Sequence, residues 1–119
     1  MQLPLQISYR NMESSAAIDT LVREKAGKLE QFHSRIVSCR VVIEQPARHQ
    51  QQGKQFVVHI DLKVPGGEIA VNRDHHEDVY VALRDAFDAA RRKLEDFAHE
   101  QRGEVKHHEP TPPPRGETP

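Results

Sequence analysis

The sequence predicts an α+β fold: a β-α-β-β-β-α two-layer sandwich, with a four-stranded sheet and two helices on one face. Three observations predict it. Four segments alternate apolar and polar residues with period two, which marks strands with one buried and one wet face. Two longer segments carry apolar residues at helical spacing, each a single stripe that needs one surface to pack against. A "PGG" turn joins the last two strand segments, a connection short enough for an antiparallel hairpin. Two striped helices and a one-faced sheet satisfy each other in two layers.

Residues 2–9 begin the chain as a strand, with Leu3, Leu5, Ile7 and Tyr9 on one side. Pro4 has no N–H to give a ladder, so this is an edge strand or Pro4 sits at its first residues. "NMESSAAIDTLVREKAGKLEQF" reads as the first helix. Ser14 or Ser15 is placed to cap it, and Ile18, Leu21, Val22, Leu29 and Phe32 form its stripe. "IVSCRVVIEQ" is the second strand, with Val37, Cys39, Val41 and Ile43 inward and Ser38, Arg40 and Glu44 outward. "KQFVVHIDLKV" is the third, Phe56, Val58, Ile60, Leu62 and Val64 alternating with polar residues. "EIAVNR" returns as the fourth, with Ile69 and Val71 inward. From about His76 to Gln101 the period is helical again, through Val79, Leu83, Ala86, Phe87, Ala90, Leu94 and Phe97, and Gly103 is placed to end it. Residues 1–102 thus form one domain. Residues 103–119, proline-rich and nearly free of apolar side chains, are expected to be a disordered tail.

Composition narrows the function. The 119 residues are 36% hydrophobic and 29% charged, with no tryptophan, which suits one modest aliphatic core. A single cysteine, Cys39, excludes an internal disulfide and fits a reduced, cytoplasmic setting. The N-terminal stretch has no secretory pattern, and no run approaches the roughly 18 apolar residues of a membrane span. Net charge is −1, so any polyanion partner must be met by a local cluster of cations.

The run "RDHHEDVY" at 73–80 is the densest set of polar groups. Consecutive residues fan apart by about 100° on a helix, so His75, His76, Glu77 and Asp78 do not share the one-turn spacing of helical zinc ligands. A helix start explains them better: Glu77 and Asp78 fall where carboxylates favour the helix dipole, and Asp74 or its neighbour caps. No nucleophile motif, phosphate loop or Gly-x-Ser-x-Gly is present. The expectation is therefore no enzyme, no cofactor, no metal and no small-molecule substrate.

The cations suggest another use. Arg84 and Arg91 share a face of the second helix beside Tyr80, and Lys93 flanks the other side of its core stripe. Lys25 interrupts the stripe of the first helix, where it can snorkel between the helices, with Lys28 one turn on. Lys25, Lys28, Arg84, Arg91 and Arg92 then border a shared basic surface suited to a phosphate backbone. The bland alternative is a solvated helix laced by Asp88–Arg92, Arg91–Glu95 and Arg92–Asp96 pairs, with Arg84 paired to Asp88.

"KAGKLEQF", "PGGEIAVNRDHHEDVYVAL" and "RRKL" together resemble the bacterial ribosome hibernation-promoting factors, or ribosomal subunit interface proteins, once labelled sigma-54 modulation proteins, in their short form. The likeness spans about residues 2–100. It implies the fold read above, which is similar to the double-stranded RNA-binding domain. It also implies a translation inhibitor that binds the small ribosomal subunit and its rRNA in the mRNA/tRNA channel, promoting hibernation under stress or in stationary phase. Lys25, Lys28 and Arg92 match basic positions of the family, and His76, Asp78 and Tyr80 match its polar helix start. Ala89 stands where relatives often carry lysine, and Arg84 where aspartate is common. The candidate ribosome-binding residues are thus Lys25, Lys28, His76, Tyr80, Arg84, Arg91 and Arg92. An alternative of another class is a non-ribosomal, protein-binding adaptor that keeps the fold. A third is a metal-binding domain that uses the histidines.

Overall fold

The computed structural model describes residues 4–46, 55–76 and 78–107; at 74–76 and 101–107 it describes the backbone alone. The order is β1 (Leu5–Arg10), α1 (Ala16–Phe32), β2 (Ser38–Glu44), β3 (Phe56–Val64), β4 (Gly67–His76) and α2 (Val79–His107). One sheet holds all four strands in the order β1-β2-β3-β4, with both helices on its inner face, as the sequence predicts.

β1 and β2 are parallel, with Leu5 opposite Cys39 and Tyr9 opposite Ile43. Parallel neighbours need a crossover, and α1 supplies it. β2–β3 and β3–β4 are antiparallel. α1 therefore runs against β1, and α2 runs against β4. Since β1, β2 and β4 share one direction, the two helices run the same way, side by side.

The core lies between sheet and helices. Val41, Ile43, Val58, Ile60 and Leu62 of the two central strands are fully buried. Against them pack Ile18, Val22, Ala26 and Leu29 of α1 and Val79, Leu83, Ala86, Phe87, Ala90 and Leu94 of α2. Aliphatic burial of this kind stabilises by about 25 cal/mol per Å² of apolar surface removed from water. Two positions depart from the predicted stripes. Phe32 ends α1 at 60% exposure, and Val37 precedes β2 at 53%. Both lie at element ends, where the layers part. Ala82 and Ala89 are instead added to the buried set.

The turns follow local chemistry. Val64 pairs with Gly67 across Pro65 and Gly66, and Gly66 has φ 91°. Proline first and a positive-φ glycine second is the residue pattern of a type II turn. Gly67 has a separate reason to be glycine: a Cβ there would lie 3.1 Å from the Phe97 ring. Ser15 caps α1, its Oγ accepting from the Ile18 N–H at 3.2 Å.

The start and end of α2 correct the sequence reading. β4 continues through Asp74, His75 and His76, and α2 begins at Val79. The cap is Asp78, not Asp74: its Oδ1 accepts from the Tyr80 N–H at 2.8 Å, and its carbonyl accepts from the Ala82 N–H at 3.1 Å. Glu77 lies outside the described residues. At the other end, Gly103 does not stop the helix, which runs to His107. A single glycine costs a helix roughly 1 kcal/mol, too little to end a long one that has no competing cap at that point. Residues 108–119 lie outside the described residues.

Tyr9 ties β1 to the start of α1. Its hydroxyl donates towards Asp19 Oδ1 at 2.6 Å and lies 3.1 Å from the Ser15 carbonyl oxygen. Burial, and then the Asp19 hydrogen bond, push the phenol from its ordinary 10 up to about 12. Burial, with Asp61 nearby, likewise pushes the Cys39 thiol up to about 12. Both are acids held neutral by the fold. Their contribution is intact below the unfolded values and is lost as pH rises through the folded ones.

Stability should therefore fall as pH rises from about 9–10 towards 12. Tyr9→Phe should cost about 1–2 kcal/mol at neutral pH through the lost hydrogen bonds. It should also flatten the part of the alkaline decline above pH 10, measured by urea unfolding at a series of pH values. Gly66→Ala should destabilise by at least about 1 kcal/mol, because alanine resists positive φ, seen as a lower denaturant midpoint with unchanged slope.

Candidate nucleic-acid interface

The parallel run of the helices decides which cations meet. At the lower end, the Arg91 guanidinium lies over the Phe32 ring, 5.7 Å from its centroid. A cation in that position is held by the ring quadrupole, worth about 0.5–1 kcal/mol at an exposed site. The Arg91–Phe32 pair fixes the facing flanks: the side of α1 that carries Phe32 looks towards the side of α2 that carries Arg91. Lys25 and Leu21 lie on that same side of α1 by helical spacing, and Lys28 at its margin. Arg84 and Tyr80 lie on the matching side of α2. Seven residues separate Lys25 from Phe32 and Arg84 from Arg91, so Lys25 and Arg84 stand at similar heights along the groove.

Their exposure fits this placement. Lys25 is half-buried and Lys28 exposed, a burial compatible with a lysine whose stem lies along the core edge. Tyr80 is 48% exposed. Arg84 is exposed, its Nε 3.9 Å from Asp85 Oδ1, an ion pair of little energetic weight at such a surface. It therefore pairs with Asp85, not Asp88. The other expected pairs, Asp88–Arg92, Arg91–Glu95 and Arg92–Asp96, do not close; the ion pairs among the described residues include Lys63–Glu68 at 3.6 Å and Arg84–Asp85. Lys25, Lys28, Arg91 and Arg92 thus keep their charge available.

Arg91, Arg92 and Lys93 are consecutive but point three ways, about 100° apart. Arg91 turns to α1. Arg92 is exposed and points away from the sheet, near Asp88, Glu95 and Asp96 on the helix wheel. Lys93 reaches the opposite flank and donates to the Ala70 carbonyl on the open edge of β4 at 2.9 Å. Arg92 therefore stands apart from the groove that collects the other cations. Ala89 is 3% exposed and belongs to the core, so no charge is presented from that position. The His76 side chain lies outside the described part of the chain, and with it the expected role of that residue.

Below the groove lies a notch of about 340 Å³ that sequence reasoning missed. The end of α1, the α1–β2 connection, the β3–β4 turn and the second half of α2 form it. Phe32, Ile36, Val64, Leu94 and Phe97 line it, with His33 and Arg35. The His33 Nε2 is buried with no hydrogen-bond partner among the described residues. The one signal of the notch in the sequence is the break of helical phase after Phe32, which frees the end of the stripe.

On the outer sheet face, Val42 is 5% exposed although it faces away from the helices. It lies between Ser8 and His59 in one cross-strand row that ends at Asn72, and the His59 Nδ1 is hydrogen-bonded to the Asn72 Oδ1. No group of three metal-ligating side chains converges among the described residues, and none of their helices is long and apolar enough to cross a membrane.

Comparison with known proteins agrees with this architecture. The model of the family described as sigma 54 modulation protein / S30EA ribosomal protein matches residues 5–102. A ribosome hibernation promotion factor of Deinococcus radiodurans is 32% identical over 93 residues, 77% of this chain and 47% of that protein. The chain thus spans about half the length of that relative. A ribosome hibernation promoting factor of Pseudomonas putida is 26% identical over 99 residues, 83% of this chain and 90% of the relative. Among solved structures, a ribosomal subunit interface protein from Coxiella burnetii superposes with a TM-score of 0.71 at 14% identity, over 82% of this chain and 99% of the other. The N-terminal domain of Thermus thermophilus Protein Y gives 0.66 at 22% identity, over 82% and 99%. The family match covers nearly every element described above, and the chain belongs to the sigma 54 modulation protein / S30EA ribosomal protein family.

Proposed function

We infer that this chain is a ribosome hibernation factor: it binds the ribosome and holds it inactive by occupancy, with no chemical step. The names of its relatives support ribosome hibernation over the protein-binding adaptor. The observation in the fold that carries the reading is the groove between the helices, bordered by Lys25, Lys28, Arg84 and Arg91. Such a set neutralises phosphates without reading sequence, which is what ribosomal RNA presents.

The finer reading is that the partner surface is rRNA of the small subunit, in the channel that messenger and transfer RNA use. The domain then acts in the cytoplasm, under stress or in stationary phase. A net charge of −1 is compatible with this, because the cations border one groove while the acids of α2 crowd its outward face. Binding of this kind is dominated by counterion release and weakens steeply with salt.

The chain should sediment with small subunits at low salt and leave them as salt rises. Lys28→Glu with Arg84→Glu, both exposed, should weaken binding and lower the salt slope by about 1 for each phosphate no longer neutralised, with thermal unfolding unchanged. Arg92→Glu should have the smaller effect. Failure to sediment with small subunits even at low salt would overturn the reading. Unchanged binding in the double variant would move the interface away from the groove.

A further inference from the structure

The notch at the foot of the helix groove has two properties that occur together. It is walled by aromatic and aliphatic side chains, with Phe32 at the rim 60% exposed. Among the described residues its lining includes Arg35 and His33 and no carboxylate, in a chain that holds 18 acids. At about 340 Å³ it falls at the lower end of the roughly 300–1,000 Å³ range of small-ligand sites.

We propose that this notch receives one unstacked base of single-stranded RNA, with Phe32 as the stacking surface and Arg35 and Arg91 against the flanking phosphates. The proposal deepens the ribosome reading and rests on it for the source of the RNA. A base is the occupant that meets both properties. Its π-face stacks on an exposed aromatic ring, and the guanidinium already over Phe32 is placed to reach the adjoining phosphate. The lining, free of carboxylates among the described residues, admits a polyanion that the acid-rich outward face of α2 repels. The notch also continues the line of the groove, so a strand whose phosphates pass Lys25 and Arg84 arrives at Phe32 and Arg91.

The test uses the full chain and a short single-stranded RNA at low salt. A second strand of equal length lacks the bases but keeps every phosphate. Phe32 is mostly exposed, so Phe32→Ala leaves the core intact. That variant should bind the intact strand roughly 5- to 150-fold more weakly, the range for removing one base–aromatic stack. It should bind the abasic strand as the parent does, and Phe32→Tyr should restore affinity. The salt slope should be unchanged in Phe32→Ala and fall by about 0.7 in Arg35→Gln. Three results overturn the proposal: no binding of the parent chain to the intact strand, equal binding by parent and Phe32→Ala, or the same weakening on both strands. The ribosome reading fails separately. If Lys28→Glu/Arg84→Glu abolishes sedimentation with small subunits while Phe32→Ala leaves single-strand binding unaltered, the groove stands and the notch does not. If the chain never sediments with small subunits, yet Phe32→Ala weakens binding to the intact strand and not to the abasic one, the notch stands and the ribosome reading does not.

Discussion

Burying one face of a four-stranded sheet beneath two helices is the constraint on which the rest of this domain depends. The central strands leave no choice: Val41, Ile43, Val58, Ile60 and Leu62 are dry, and only apolar helix stripes can cover them. Because β1 lies parallel to β2, the chain must cross over the inner face between them. α1 is that crossover, and it therefore runs in the same direction as α2. Parallel helices align their flanks end to end, so Phe32 meets Arg91 and Lys25 comes level with Arg84. A purely antiparallel β1–β2 hairpin would have needed no crossover helix and would have formed no groove.

The same geometry separates cations that hold the fold from cations left free. Lys93 and Arg73 donate to carbonyls along the open edge of β4, those of Ala70 and Asn72, both at 2.9 Å. Charged side chains on an edge deter pairing with another strand. At the opposite edge, Pro4 precedes β1, and its carbonyl accepts from the Cys39 N–H at 3.0 Å. Lys93 thus serves the sheet, whereas its near neighbour Arg91 serves the groove. A count of positive residues along α2 does not distinguish them; their angle around the helix axis does.

Charge on this molecule is a matter of placement. The net value of −1 averages a groove rimmed by Lys25, Lys28, Arg84 and Arg91 with an outward helix face that carries Asp88, Glu95 and Asp96. The helix pairs expected from spacing would have cancelled several of these charges, but exposed pairs gain too little to hold two long side chains together. Leaving them open keeps the positive rim available to a polyanion.

The sequence by itself determined the elements, their faces and most of the core, since each strand and stripe has a period that only one secondary structure satisfies. It also narrowed β1 to an edge strand or one that starts at Pro4, and the cap of α1 to Ser14 or Ser15. Lys25 announced itself as a lysine within an apolar stripe. What the sequence did not contain was the relation between elements distant in the chain. The parallel pairing of β1 with β2, the facing of Phe32 and Arg91, the separation of Arg92 from Arg91 and Lys93, and the notch beside His33 all depend on how the layers meet. So does the end of α2: Gly103 is a weak local stop, and a helix already anchored along the sheet passes through it. Local periodicity is written residue by residue, whereas a groove exists only where two surfaces, each folded for its own reasons, come to lie side by side.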